Sequence, residues 1–146
     1  MTPLIELIAV LACTLFAGAA LYISLVEHPA RLSCGTEIAA TQWAPSYKLA
    51  TVMQVSLAVT ATLLGVIRGT QGGGTVWYWA AALIFAVIPF TLIVILPTNH
   101  RLMDPKRDIR SAETRHLLER WGRLHAVRSV LALCAATLFI WAVTRP

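Results

Sequence analysis

Four long apolar runs dominate this 146-residue chain, and they constrain its fold more than any other feature. They cover residues 4–26, 49–67, 77–96 and 125–143. A helix needs about 20 apolar residues to cross a bilayer, and each run is close to that length. With 58% hydrophobic and only 13% charged residues, so short a chain has too little polar surface to cover its apolar content in water. The runs lack the period-two alternation of barrel strands, so helices are the spanning solution. The expected fold is all-α: one membrane domain over residues 1–146, built as a four-helix transmembrane bundle.

Aromatic residues sit where an interfacial belt belongs. Trp77, Tyr78 and Trp79 open the third run, Trp141 closes the fourth, and Trp43 and Tyr47 precede the second. Ala17 to Ala20 in the first run, with Ala132, Ala135 and Ala136 in the fourth, permit close helix contact. Pro89 removes a ladder hydrogen bond within the third run and is expected to kink it. Gly72-Gly73-Gly74 reads as a short link between the second and third runs. The first run has no basic n-region and is expected to be a retained span, not a removed signal.

Loop charges set the orientation. Arg31, Lys48, Arg101, Lys106, Arg107, Arg110, Arg115, Arg120 and Arg123 fall on one side, against Arg68 and Arg145 on the other. The positive-inside rule places those nine in the cytoplasm and both termini outside, in the inner (cell) membrane. The net charge of +5 is thus a membrane signature, and no nucleic-acid motif accompanies it. In the third loop Asp104-Pro105 breaks the chain and Ser111 is an expected N-cap. Leu117, Leu118, Trp121 and Leu124 then repeat at helical spacing, which predicts an amphipathic cytoplasmic helix leading into the fourth span. Cys13, Cys34 and Cys134 show no Cys-x-x-Cys spacing and support neither a disulfide framework nor a redox pair.

Polar residues converge at the cytoplasmic ends of the spans. Glu27 and His28 end the first, Asn99 and His100 end the third, and His125 and Arg128 begin the fourth. Three stripes at i, i+3, i+4 spacing follow: Ser24-Glu27-His28-Arg31, Trp121-His125-Arg128 and Tyr47-Thr51-Gln54. Thr91 and Thr98 can face the same way. Together they outline a pocket in the cytoplasmic half of the bundle. Each residue also has a plain structural role: a histidine anchoring at the interface, Gln54 bonding between helices, Arg128 snorkelling to the headgroups. Arg128 falls within the hydrocarbon boundary, where charged residues face the bundle interior and find partners. Glu27 is the expected partner.

The strings Glu27-His28-Pro29-Ala30-Arg31, Trp43-x-Pro45-Ser46-Tyr47-Lys48, Pro89-Phe90-Thr91, Pro97-Thr98-Asn99 and Trp121-x-x-Leu124-His125-x-x-Arg128 resemble the anthrone oxygenase-like membrane family. Most of its bacterial members carry the label of a domain of unknown function. The resemblance covers nearly the whole chain and implies a four-helix membrane fold. Named members oxidise anthrones to anthraquinones, which implies an oxidoreductase acting on a lipophilic aromatic, anthrone- or quinone-like substrate.

On that footing His125 or His28 is the expected base. Arg128 and Asn99 stabilise an oxyanion, Trp121 and Tyr47 stack on rings, and Glu27 and Gln54 complete the site. A second version adds a metal or haem, with Glu27, His28, His100 and His125 as candidate ligands. The cofactor is left open between that and none. Expected partners are membrane lipid and a lipophilic small molecule, with a homo-oligomer allowed and nucleic acid not expected. The alternative is a non-catalytic membrane protein that binds a lipid, a quinone or a partner subunit.

Overall fold

The computed structural model describes residues 2–145. Four helices account for nearly all of them: α1 (Thr2–Ser33), α2 (Thr36–Gly73), α3 (Thr75–Leu102) and α4 (Ala112–Thr144). All four are long and apolar enough to cross a membrane. Each packs on its neighbours in the chain, and α4 closes the ring against α1. The chain reversals need special backbone: Gly35 and Gly74 between helices, and Gly72 at the end of α2, all have φ near +90°, a region other residues rarely adopt. Ser111 caps α4 as expected, its Oγ accepting from the Thr114 amide at 3.2 Å. From there α4 runs unbroken for 33 residues, about 50 Å at 1.5 Å per residue.

Large apolar side chains face outward along the bundle. Leu49 is 76% exposed and Ile93 74%, as lipid contact allows and water would penalise. The tryptophans divide. Trp79 and Trp141 point out, whereas Trp43 and Trp77 are buried inside the bundle and do not belong to a belt. Adjacent helical residues lie about 100° apart, so of Trp77, Tyr78 and Trp79 only one can face the core. Trp77 takes that place and packs edge-on to Phe139.

Proline shapes α1 and α3. A proline has no N–H to give, and its ring crowds the carbonyl four residues earlier. Each helix opens into a wide π-turn just ahead of one: Ile23–Glu27 before Pro29, and Thr91–Ile95 before Pro97. The His28 amide then reaches back to the Ile23 carbonyl and the Leu96 amide to the Thr91 carbonyl, five residues each. Pro89, expected to kink α3, lies just before the second of these turns.

Two hydrophobic clusters fill the bundle. One, rich in alanine, joins Ala9 to Ala20 with Ala58, Ala61, Trp77, Ile84, Ala132 and Phe139. The other joins Ile23, Trp43, Ile95, Leu117, Leu118 and Trp121. Between them every helix contributes polar residues that bond one another or line one cavity: Ser24 from α1, Gln54 from α2, Thr91 from α3, and His125, Arg128 and Ser129 from α4. That layer holds the site.

Candidate functional site

Helical spacing in α4 presents Trp121, His125 and Arg128 to the interior on one stripe. Trp121 stacks on His125 with ring centroids 4.8 Å apart. It meets His28 at 5.0 Å on its other flank and Trp43 edge-on at 5.7 Å. Trp43 in turn stacks on Tyr47, nearly parallel at 5.1 Å. An aromatic column therefore links α1, α2 and α4 at the layer.

Two adjoining cavities open on this layer. The larger, about 100 Å³, is lined mainly by apolar residues including Phe16, Val55, Ala58, Val87 and Leu92, with Tyr47, Thr51, Gln54, Thr91 and Arg128 at its polar side. The smaller, about 20 Å³, is lined by Arg31, Ser46, Trp121 and His125 among others. Tyr47, Thr51, Gln54 and Arg128 line both and form the wall between them. Val55 and Leu92, 46% and 58% exposed on the outer face of α2 and α3, make the larger cavity's rim. Its mouth thus faces sideways, where lipid lies.

The partner of Arg128 is not the expected one. Its Nη2 donates to Gln54 Oε1 at 2.6 Å, and its guanidinium lies over the Phe16 ring at 5.4 Å. Glu27 bonds instead with Arg31, Gln42 and Ser46, all three donating to its Oε1. The reason is local. Glu27 and Arg31 are four apart on one helix face, and Ser46 and Gln42 come from the near end of α2. Arg128 sits deeper, level with Gln54. Glu27 therefore acts at one remove, holding Arg31 and Ser46 at the small chamber.

The other expected site residues separate into three groups. His125, Arg128, Tyr47, Gln54 and Trp121 line the cavities. His28 belongs to the aromatic column but lines neither cavity. Its Nε2 donates to the Leu118 carbonyl at 2.9 Å, tying α1 to α4, and its Nδ1 is buried without a partner. Thr98 and Asn99 are buried but also line neither cavity, and Asn99's side-chain O and N both lack partners. The metal candidates are not gathered. His100 is exposed, Glu27 and His28 are committed elsewhere, and no three His, Cys, Asp or Glu among the described residues come close enough to hold an ion.

Sequence reading placed Arg31 on the pocket's Ser24 stripe without a role of its own, and left Ser46, Ser129 and Gly122 out. Arg31, buried to 6% exposure, lines the small chamber; its place on the Ser24 stripe was a signal. Ser46 faces the same chamber. Ser129, four residues after His125, bonds Ser24 Oγ at 2.8 Å, and Ser24 bonds His125 Nδ1 at 3.0 Å. A lone serine in an apolar run gives no signal beyond that spacing. Gly122 completes the list, because a Cβ there would lie 2.6 Å from the His28 ring.

The chain is 32% identical to the anthrone oxygenase tpcL of Aspergillus fumigatus, over 94% of its own length and 91% of that protein. It is 26% identical to an anthrone oxygenase of Claviceps purpurea, over 92% and 85%. No solved structure matches it. The Anthrone oxygenase family matches over residues 43–138, a stretch that runs from the Trp43-Tyr47 stack through the cavity walls to Arg128 and beyond. By that match and by its likeness to tpcL along almost its full length, the chain belongs to the anthrone oxygenase family.

Proposed function

We propose that this protein is an integral membrane oxygenase that oxidises a lipophilic aromatic ketone or phenol of the anthrone type with dioxygen. One observation carries the reading. The wall between the cavities holds buried donors with no protein acceptor, Gln54 Nε2 and Arg128 Nε, beside a histidine. An unpaired buried donor costs free energy, and the oxygen of a bound ketone or phenolate would satisfy it. The relatives named as anthrone oxygenases support the substrate class.

The volumes suit a substrate held at one end. A cavity of about 150 Å³ takes a benzene ring, so about 100 Å³ admits little more than one ring edge. The rest of a polycyclic body would extend through the mouth between Val55 and Leu92 into lipid. The small chamber, about 20 Å³, has room for one small molecule such as water or dioxygen.

In the reaction, a proton leaves the methylene of the anthrone-type ring for His125, relayed by a water in the small chamber that His125 lines, giving an enolate. Arg128 and Gln54 stabilise its oxygen in a water-poor setting. The electron-rich carbon forms a bond to dioxygen. Protonation gives a hydroperoxide, and loss of water across the remaining C–H and O–O bonds leaves a second carbonyl. One CH₂ and one O₂ become one C=O and one H₂O. The four electrons balance without an added reductant.

The nine-to-two division of loop arginines and lysines supports a cytoplasmic position for this end of the bundle. Both termini then lie outside the inner membrane. The test of function is dioxygen uptake with an anthrone by protein purified in mild detergent, followed together with quinone absorbance. Wild-type protein should exceed the heat-inactivated control, and Arg128→Met should lose about 10²-fold or more, as for one oxyanion donor. Tight binding of the anthrone without uptake would identify a binder and sink the oxygenase reading.

A further inference from the structure

Hydrogen-bond accounting around His125 defines which ring nitrogen carries its proton. Four polar groups meet in three short contacts. His125 Nδ1 lies 3.0 Å from Ser24 Oγ, Ser24 Oγ lies 2.8 Å from Ser129 Oγ, and Ser129 Oγ lies 3.0 Å from the Ala20 carbonyl. A second carbonyl, that of His125 itself, is 3.2 Å from Ser129 Oγ. A contact at such a distance is a hydrogen bond only with a hydrogen between its heavy atoms, so one of the two carbonyls at Ser129 takes its hydrogen and the other is a plain packing contact. A carbonyl only accepts, and each serine has a single hydroxyl hydrogen.

The chain can therefore run in one direction only. Ser129 must spend its hydrogen on a carbonyl, Ala20 or His125, and so accepts from Ser24. Ser24 has then spent its own, so it accepts from His125, and the proton of that contact must sit on Nδ1. The reverse arrangement, with Ser129 donating to Ser24 and Ser24 to Nδ1, leaves Ser129 and Ala20 oxygen against oxygen at 3.0 Å with no hydrogen between them. It supplies two hydrogens for three contacts.

We infer that Ser24 and Ser129 are positioning residues that hold neutral His125 as its Nδ1–H tautomer, leaving the Nε2 lone pair to act as the base. In water the neutral histidine ring favours the opposite tautomer, so the serines must impose this one. Nδ1 points at α1 through Ser24, and Nε2 has no hydrogen-bond partner among the described residues. Which nitrogen is protonated is set by the bond the other makes. The local fold supplies the serines: Ser24 lies in the wide turn Ile23–Glu27, and Ser129 is one turn beyond His125 in α4. The base role rests on the oxygenase reading given above, whereas the tautomer does not.

The experiment is ¹⁵N NMR of protein labelled at histidine, in detergent, at a pH where the rings are neutral. Loss of a signal in His125→Gln assigns it. The expected wild-type spectrum shows His125 protonated at Nδ1 and bare at Nε2. Ser129→Ala frees the Ser24 hydroxyl to donate to Nδ1, so the tautomer ratio should shift about tenfold toward Nε2–H, the preference of one hydrogen bond. Turnover should fall by a similar factor, and Ser24→Thr, which keeps a hydroxyl, should retain the wild-type pattern. A wild-type His125 protonated at Nε2 would overturn the inference, even if no variant folds. A Ser129→Ala spectrum identical to wild type would overturn the role of the serines. A correct tautomer in a protein that consumes no dioxygen would leave this inference standing and remove the oxygenase reading.

Discussion

Arg128 and Gln54 meet at 2.6 Å between α4 and α2, inside the layer that separates the two hydrophobic clusters. A guanidinium this deep has its charge answered by a neutral amide oxygen and the face of Phe16, with no carboxylate among its bonded partners. The pair also forms part of the wall between the two cavities. Its geometry therefore serves stability and site chemistry together.

Replacing Gln54 by Leu keeps the volume but removes the acceptor. The loss of a hydrogen bond to a charged group should destabilise the protein by about 1.5–3 kcal/mol. Arg128→Met alone should cost a comparable amount, and the double variant less than the sum. Thermal unfolding in detergent measures all three. Glu27→Gln combined with Arg128→Met should instead add simply, because Glu27 is bonded to Arg31, Gln42 and Ser46. Additive losses for the Gln54 and Arg128 pair would show that the two do not interact.

Gly122 lets the His28 ring lie against α4. A methyl group there would come within 2.6 Å of His28 Cδ2 and 2.7 Å of Nε2, the atom that bonds the Leu118 carbonyl. Gly122→Ala should therefore destabilise by about 1–3 kcal/mol, as overpacking does. In a His28→Ala background the same substitution should be nearly neutral, since the obstructing ring is gone. An equal penalty in both backgrounds would mean that something other than His28 occupies the space.

The sideways mouth between α2 and α3 makes a further test. Val55→Trp or Leu92→Trp should fill it from the lipid side without touching the polar layer. Binding of a planar lipophilic aromatic, read as ligand-induced stabilisation, should weaken by at least about tenfold, one 1.4 kcal/mol step. The unliganded melting temperature should stay within a few degrees, because both positions are exposed. Undiminished binding by both variants would show that the ligand enters elsewhere.

Much of this was written into the linear pattern. Four apolar runs of membrane length have few ways to satisfy their backbone groups, so helices follow from composition and spacing alone. The Ser111 cap is equally local, since the N-cap chemistry needs only its own first turn. The polar layer was legible too, because the 3.6-residue period shows which side chains of one helix share a face. Tyr47 with Gln54, and Trp121 with His125 and Arg128, do reach common cavities.

What a face meets on the next helix was decided only by the tertiary structure. By charge alone, Arg128 and Glu27 are natural partners. Their depths differ, and the rotation of α2 brings Gln54 to one and Gln42 with Ser46 to the other. Trp43 and Trp77 carry the residue type of an interfacial belt, but rotation about the helix axis turns them inward while Trp79 faces out. The Ser24–Ser129 contact joins residues 105 apart in the chain, and the wide turn ahead of Pro29 holds one of them. Period and composition act along one helix at a time. Partner, depth and proton position depend on how four helices are rotated and shifted against one another, and packing alone settles that.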